Sequence, residues 1–256
     1  VSAPAAGTPF GLVPFLVGTL VLVCPPAVGW AQSPYVAELH AFYPHYHDNP
    51  ARLDEIQRGL ERALETAPRV ETFLALAQVC FTRGDVRATS RAQKVAAYER
   101  GRGAAQRAVE LSPRSAAAHF WYATNTARLG QTEWGIRSLF LLPTIREEIQ
   151  TVLDLDPQFT PIYALAGNVF YEVPGFLGGD LAKAEAMFRK GLQLDPRFTE
   201  MRLGLGRTLI KGGRIAEGRR ELQAVLDERE PRYPADWTLK DSPEARKLLE
   251  SIRSQP

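Results

Sequence analysis

The sequence predicts an all-α fold, a solenoid of antiparallel helix pairs, and three observations predict it. First, four segments end alike: Leu64 to Pro68 (LETAP), Val109 to Pro113 (VELSP), Leu153 to Pro157 (LDLDP) and Leu192 to Pro196 (LQLDP). Each reads as the last turn of a helix, stopped by a proline that has no N–H to donate and clashes with the preceding turn. Second, these prolines are 45, 44 and 39 residues apart, a recurrence that marks stacked repeats. Third, small residues recur among bulky ones at helical spacing, and no convincing strand pattern appears.

Composition sets the bounds. The 256 residues are 45% hydrophobic and 23% charged, a globular profile. A net charge of +2, with Arg interleaved among Asp and Glu, gives no electrostatic case for a nucleic-acid partner. The two cysteines, Cys24 and Cys80, do not make a disulfide framework. Cys80 falls inside a helical pattern and reads as a small buried apolar residue.

The chain opens with an apolar stretch. Phe10 to Val23 is uncharged and of signal-peptide length, too short and too Pro-broken for a stable membrane span. Small residues at Gly29 and Ala31 suit cleavage after Ala31, so residues 1–31 are expected to be a cleaved export signal. The first Lys or Arg is Arg52 and the first residue is Val, so a truncated or misassigned start is expected. Cys24 offers lipid anchoring as an alternative, although Val23 before it fits a lipoprotein signal poorly. The expected location is the periplasm of a bacterium. Residues 32–49 then read as a solvated linker ahead of a helical domain over 50–256.

Helices are predicted over Pro50–Ala67, Val70–Arg83, Ala88–Leu111, Ser115–Leu129, Thr132–Leu155, Thr160–Glu172, Asp180–Leu194, Phe198–Lys211, Arg214–Glu228 and Pro243–Arg253. Pro143 should break or kink the fifth. In the third unit Tyr163, Ala166, Gly167 and Phe170 line one helix, and Ala184, Phe188 and Gly191 line the next. In the fourth, Leu205, Gly206 and Leu209 are answered by Gly218, Leu222 and Val225. Small residues let two helices approach, and bulky ones a turn away fill the gap. One pair cannot bury its face alone, so neighbours must stack.

These residues resemble the tetratricopeptide pattern, whose repeat is about 34 residues long. The surplus is about five residues in the third unit and about ten in each of the first two, placed at the junction between paired helices. That edge of the solenoid is expected to be enlarged.

A narrower resemblance rests on Tyr171-Glu-Val-Pro-Gly-Phe-Leu-Gly-Gly-Asp180, followed by Lys183, Ala184 and Phe188. It is similar to the glycine-loop segment of the T-component of tripartite ATP-independent periplasmic (TRAP) transporters. His119 to Asn125 with Gly130, and Trp237 through Leu249, resemble that family's Trp-bearing and closing helices. The resemblance implies an accessory component of solute uptake, partnered with a periplasmic solute-binding protein and open to self-association, with a cavity for a hydrophobic or organic-acid ligand. A general envelope-assembly adaptor, binding partner proteins through the same groove, is the other reading.

The glycine loop, Pro174, Gly175, Gly178, Gly179 and Asp180, also has a local role. Gly178 and Gly179 permit positive φ, and Asp180 can cap the following helix. It is not a phosphate loop, because the Lys-Ser/Thr partner and a preceding strand are missing. His40, His45 and His47 with Asp48 could suggest a metal, but Pro44 and Pro50 bracket them in the linker, and no metal site is expected. His119 reads as packing, as do Trp121 and Trp134. Asp154, Asp156 and Asp195 read as capping or solvated groups, and Glu147 and Glu148 as an exposed helix face. No G-x-S-x-G elbow or base–nucleophile set occurs, so neither an enzyme nor a cofactor is expected. By the tetratricopeptide resemblance, the concave groove should be lined by Thr124, Arg128, Asn168, Tyr171, Glu172, Arg207 and Lys211. Basic and polar groups there would suit an acidic peptide or a carboxylate.

Overall fold

The computed structural model describes residues 33–133 and 136–253. The expected export signal, Cys24 and Trp134 lie outside them. Twelve α-helices fill the described residues, which hold no β-strand. They are α1 (Pro34–Phe42), α2 (Arg52–Thr66), α3 (Val70–Val86), α4 (Arg91–Leu111), α5 (Ala116–Glu133), α6 (Ile136–Leu155), α7 (Pro161–Glu172), α8 (Leu181–Leu194), α9 (Thr199–Lys211), α10 (Ile215–Asp227), α11 (Pro234–Asp236) and α12 (Ser242–Ser251). Antiparallel pairs form between α3 and α4, α5 and α6, α7 and α8, and α9 and α10. The first helices of successive pairs also touch, α3 on α5, α5 on α7 and α7 on α9, which stacks the pairs into a solenoid.

Close approach depends on the small residues. A methyl group at Gly167 would lie 2.5 Å from the Phe188 ring, and one at Gly204 would strike the same ring from α9. Phe188 is thus held between two helices that lack side chains where its ring lies, and it is fully buried. Gly206 and Gly218 face each other across α9 and α10, each against the other's backbone carbonyl. Ala184 is fully buried in the same core. The predicted helix–helix contacts are therefore where the spacing puts them.

The extra residues in the first two units take the form that the long predicted spans over 88–111 and 132–155 imply. They lengthen helices rather than loops: α3 to α6 have 17, 21, 18 and 20 residues, against 12 to 14 in α7 to α10. α6 also runs through Pro143 without a break. Helices end where their stop signals act, and none of the first four long helices has a Gly–Pro signal at the expected junction. Among the described junctions between paired helices, the third unit carries the longest loop, residues 173–180. There Gly178 adopts φ of +90°, Asp180 accepts from the Ala182 and Lys183 N–H groups, and Arg146 of α6 donates to the Leu177 carbonyl at 2.5 Å. Gly179 has the Val173 carbonyl where a side chain would begin.

The segment expected to be a linker is a correction. Residues 34–45 form α1 and a 3₁₀ turn (Tyr43–His45), and Val36, Leu39 and Tyr46 are buried. Tyr35 lies over Gly59 of α2, in space that any side chain there would occupy. Apolar residues three apart supply the buried face, a short pattern masked in the sequence by the flanking prolines and histidines. His40 and His45 point to solvent. Among the described residues no group of three or more His, Cys, Asp or Glu side chains is placed to hold a metal ion.

The C-terminal end holds more than the one helix expected there. α11 leads through a π turn (Trp237–Asp241) into α12. The Trp237 indole N–H donates to the Val225 carbonyl at 2.7 Å and fixes this turn on α10.

Candidate functional site

The first helices of the pairs face inward and enclose a cavity of about 440 Å³. Its walls come from α3 (Phe81), α5 (Phe120, Trp121, Thr124, Arg128), α7 (Ala164, Leu165, Asn168) and α9 (Glu200). The two ends of the domain close it: Tyr43 from the N-terminal 3₁₀ turn, and Tyr233, Asp236 and Lys240 from the segment around α11. Tyr46 donates to Asp236 at 2.7 Å, and the Tyr43 and Tyr233 rings meet edge to face at 6.2 Å. The concave face is consequently a pocket walled at both ends and open to solvent on one side.

Aromatic rings make up much of the wall. Phe120 packs on Trp121 at 5.0 Å and on Phe159 at 5.2 Å, Phe81 packs on Trp121 at 5.7 Å, and Phe198 meets Tyr233 at 5.1 Å. Trp121, expected only as a packing residue, has two roles. It is half-buried, packing on the N-terminal core and facing the cavity at once.

Behind and beside the rings lies a charged network. Asp85 of α3 is almost fully buried and takes Arg128 at 3.1 Å, Lys240 at 3.4 Å and the Tyr98 hydroxyl at 2.7 Å. Lys240 also pairs with Asp236. Burial alone would push the Asp85 carboxyl up, but Arg128 and Lys240 outweigh it and hold it below the usual range. Burial works against the Lys240 charge too, and the Asp236 and Asp85 carboxylates reverse that, raising its pKa well above normal. Asp85 in turn raises Arg128.

Two acids behave differently. Among the described residues Glu200 accepts from the Asn168 amide alone, at 3.2 Å, and burial raises its pKa. Asp241, on the π turn, accepts from the buried Thr199 hydroxyl at 2.6 Å. Burial, and then the neighbouring Glu200, push it up to about 7.

The seven residues expected in the groove separate into two groups. Thr124, Arg128 and Asn168 line the cavity. Tyr171, Glu172, Arg207 and Lys211 do not, and instead form a surface cluster further along α7 and α9. Arg207 pairs with Glu172 at 2.6 Å and lies 4.5 Å over the Tyr171 ring, and Lys211 lies 4.3 Å over the same ring and donates to the Tyr171 carbonyl. The helical register brings them to one side of their helices, but the cavity ends before their turn. Glu200, Lys240, Asp236 and Tyr43 were missed. Glu200 stands in the first turn of α9, where an acid reads as a helix-dipole partner, and the other three come from segments read as linker or tail.

Other sequence readings resolve locally. His119 has both ring nitrogens on acceptors, Glu148 at 2.5 Å and the Pro113 carbonyl at 2.9 Å, so it is a structural tie between α5 and α6. Glu148 is correspondingly well covered, contrary to the exposed face expected of it, whereas Glu147 is exposed. Asp156 and Asp195 accept from the N–H groups of Gln158 and Arg197, closing the turns after the helix-stopping prolines. Cys80 is fully buried, and burial pushes its thiol up to about 12, as an inert core residue requires.

Comparison with known proteins agrees with this architecture. Residues 38–175 match the family model described as "Regulator of microtubule dynamics protein 1-3", and residues 176–240 match a tetratricopeptide-repeat model. No curated protein matches the chain. Among solved structures, the chain is similar to TTC0263, a thermophilic TPR protein of Thermus thermophilus. The identity is 19%, the match covers 84% of this chain and 94% of that one, and the TM-score is 0.59. A structure of MamA matches at 19% identity over 72% of this chain and 93% of its own, with a TM-score of 0.45. The chain is a tetratricopeptide-type helical-repeat protein, and the match over more than half its length makes it a member of the Regulator of microtubule dynamics protein 1-3 family.

Proposed function

We propose that this protein is a non-catalytic adaptor that captures part of a partner in the cavity enclosed by α3, α5, α7 and α9. The observation that carries this is the cavity itself. About 440 Å³ of space is lined by rings and by polar groups from four stacked pairs, and it is closed by both ends of the domain. Pockets of this size with a few placed polar groups are binding sites by default. A helical-repeat scaffold supplies them without any reacting side chain.

In its narrower form the proposal puts the adaptor in the periplasm, beside the solute-binding protein of a TRAP transporter. The likeness of Tyr171 to Asp180 supports this form. A second reading is favoured by the family match over residues 38–175, whose description concerns regulation of microtubule dynamics. On that reading the captured partner belongs to such regulation.

A cavity-filling variant tests the common claim. Leu165→Trp should fold, because Leu165 faces the cavity, and should lose the partners that the unmodified protein retains in crosslinked pull-downs from its own cells. An unchanged set of captured proteins would refute the cavity as the docking site. The identity of what is lost separates a solute-binding protein from a cytoskeletal partner.

A further inference from the structure

The cavity carries a charge imbalance that its own residues do not cancel. Among the described residues, two cations, Arg128 and Lys240, share the network with four carboxyl groups, Asp85, Asp236, Glu200 and Asp241. Asp85 is paired to both cations, and Asp236 to Lys240. Asp241 accepts from Thr199 and keeps its proton to about pH 7. At the rim, Arg232 pairs with Asp195 at 3.6 Å and Asp156 caps its own turn. Glu200 is the group left over. Among the described residues the Asn168 amide is its one hydrogen-bond donor, and Lys240 and Arg128 act on it only through space, since no Lys, Arg or His lies within ion-pair distance.

A second observation points into the same space. Thr124 is 7% exposed, lines the cavity, and its hydroxyl oxygen has no hydrogen-bond partner. A buried, unmet polar atom costs about 1–3 kcal/mol unless something completes it. Much of the rest of the wall is aromatic, with Phe120, Trp121, Phe159, Phe198 and Tyr233 among its residues.

We infer that the cavity takes a protonated amine on an apolar stem. The Glu200 carboxylate and the Thr124 hydroxyl receive the ammonium, and the rings hold the stem. An ammonium supplies the one positive charge the network lacks, donates to both unmet groups, and is attracted to ring faces. A carboxylate-bearing ligand would instead add a charge beside Glu200 and leave the imbalance larger. The same chemistry can come from a free arylalkylamine or from a lysine side chain on a partner segment. The inference rests on the cavity being the binding site and adds the class of group that enters it.

Titration calorimetry of the whole protein with 2-phenylethylamine, 2-phenylethanol and 3-phenylpropionate tests the class. A short peptide with one lysine, compared with its acetyl-lysine form, tests the source. Saturable binding of the amine or of the lysine peptide is expected, at least tenfold tighter than the neutral or acidic counterpart. Glu200→Gln, which keeps shape and the Asn168 contact, should weaken it at least tenfold with an unchanged melting temperature, and Thr124→Val about threefold. Binding of the alcohol or the acid as tightly as the amine, an unaltered affinity in Glu200→Gln, or no binding of either amine source would overturn the inference. If the amines fail while Leu165→Trp still abolishes partner capture, the ligand class is wrong and the docking site stands.

Discussion

The Tyr46 hydroxyl donates to Asp236 Oδ1 at 2.7 Å and joins two segments 190 residues apart in the chain. Tyr46 is fully buried, and Asp236 also holds Lys240, so the bond ties the N-terminal cap to the network around the cavity. Tyr46→Phe keeps the ring and removes only the donor. It should cost about 1.5–3 kcal/mol, the range for a hydrogen bond to a charged group. Urea unfolding measures the loss. Hydrogen exchange should show faster opening of residues 34–46 and 234–241, with α7 to α10 unaffected.

Two glycine substitutions should act in opposite directions. Gly167→Ala puts a methyl group 2.5 Å from the Phe188 ring, which α8 and α9 hold in place, and should destabilise by about 1–3 kcal/mol. Gly103→Ala lies inside α4 with nothing within 4 Å and should stabilise by about 0.5–1 kcal/mol. Thermal melts of the two variants decide the matter. Equal shifts would mean that the helix contact at Gly167 is not the one described.

The repeating part of the fold was legible because its signal is local. Pro157, Pro196, Gly167, Ala184 and Gly206 act on their own helix or its immediate neighbour, and their spacing states the pairing. The cavity's closure was not legible in the same way. Tyr46 and Asp236 meet across almost the whole chain, and no periodicity links them. Three of the seven residues expected in the groove, Thr124, Arg128 and Asn168, line the cavity, on the side of their helices that the register gives. Tyr171, Glu172, Arg207 and Lys211 share that register, but they lie past the point where the cavity ends. Register fixes a side of a helix and not a depth along the solenoid. Glu200 and Lys240 carry no local signal at all, because their role depends on which charges the closed ends bring beside them.

Asp241 should give the protein a pH dependence of a definite sign. Its carboxyl keeps a proton to about pH 7 in the folded state, against an ordinary value of 3.8. Folding therefore takes up a proton between those values. The stabilisation is complete below about pH 4 and is lost as the pH rises through about 7, with a slope of up to about 1.4 kcal/mol per pH unit. Burial sets the sign, and Glu200 and Asp236 add to it against Thr199 and Lys240. Asp54 and Asp85 work the other way at acid pH, because their lowered values make their contributions disappear as the pH falls through the carboxylate range. The informative quantity is the difference between the unmodified protein and Asp241→Asn, taken by urea unfolding from pH 4 to 8. A flat difference would show that Asp241 does not carry the effect.

The surface cluster should matter little to stability. Arg207 and Glu172 are partly exposed, and such a pair contributes at most about 1 kcal/mol once solvent screening is counted. Arg207→Ala should stay within that limit by urea unfolding, lose part of the effect in high salt, and leave amine binding in the cavity unchanged. A loss of cavity binding in this variant would mean that the two groups of residues form one site.

Asp85 should be the costliest single charge to remove. Its carboxylate, 7% exposed, meets Arg128, Lys240 and the Tyr98 hydroxyl at once. Asp85→Asn keeps the volume and takes away the charge, so Arg128 faces the cavity without a counter-ion and Lys240 keeps only Asp236. Removing one partner of a fully buried pair typically costs about 3–5 kcal/mol, but the Arg128 and Lys240 side chains are 36% and 30% exposed, so solvent screens what remains and the loss should be about 1–3 kcal/mol. The net worth of such a network against an apolar replacement is far smaller, so the variant measures the penalty of leaving Arg128 and Lys240 unmatched. Replacing Lys240 as well, in Asp85→Asn/Lys240→Met, removes one stranded cation together with its anion. It should recover part of the loss, giving a double-mutant coupling of at least about 1 kcal/mol by urea unfolding. Additive losses would show that Asp85 and Lys240 act separately, and that the closed end of the cavity is held by its rings rather than by its charges.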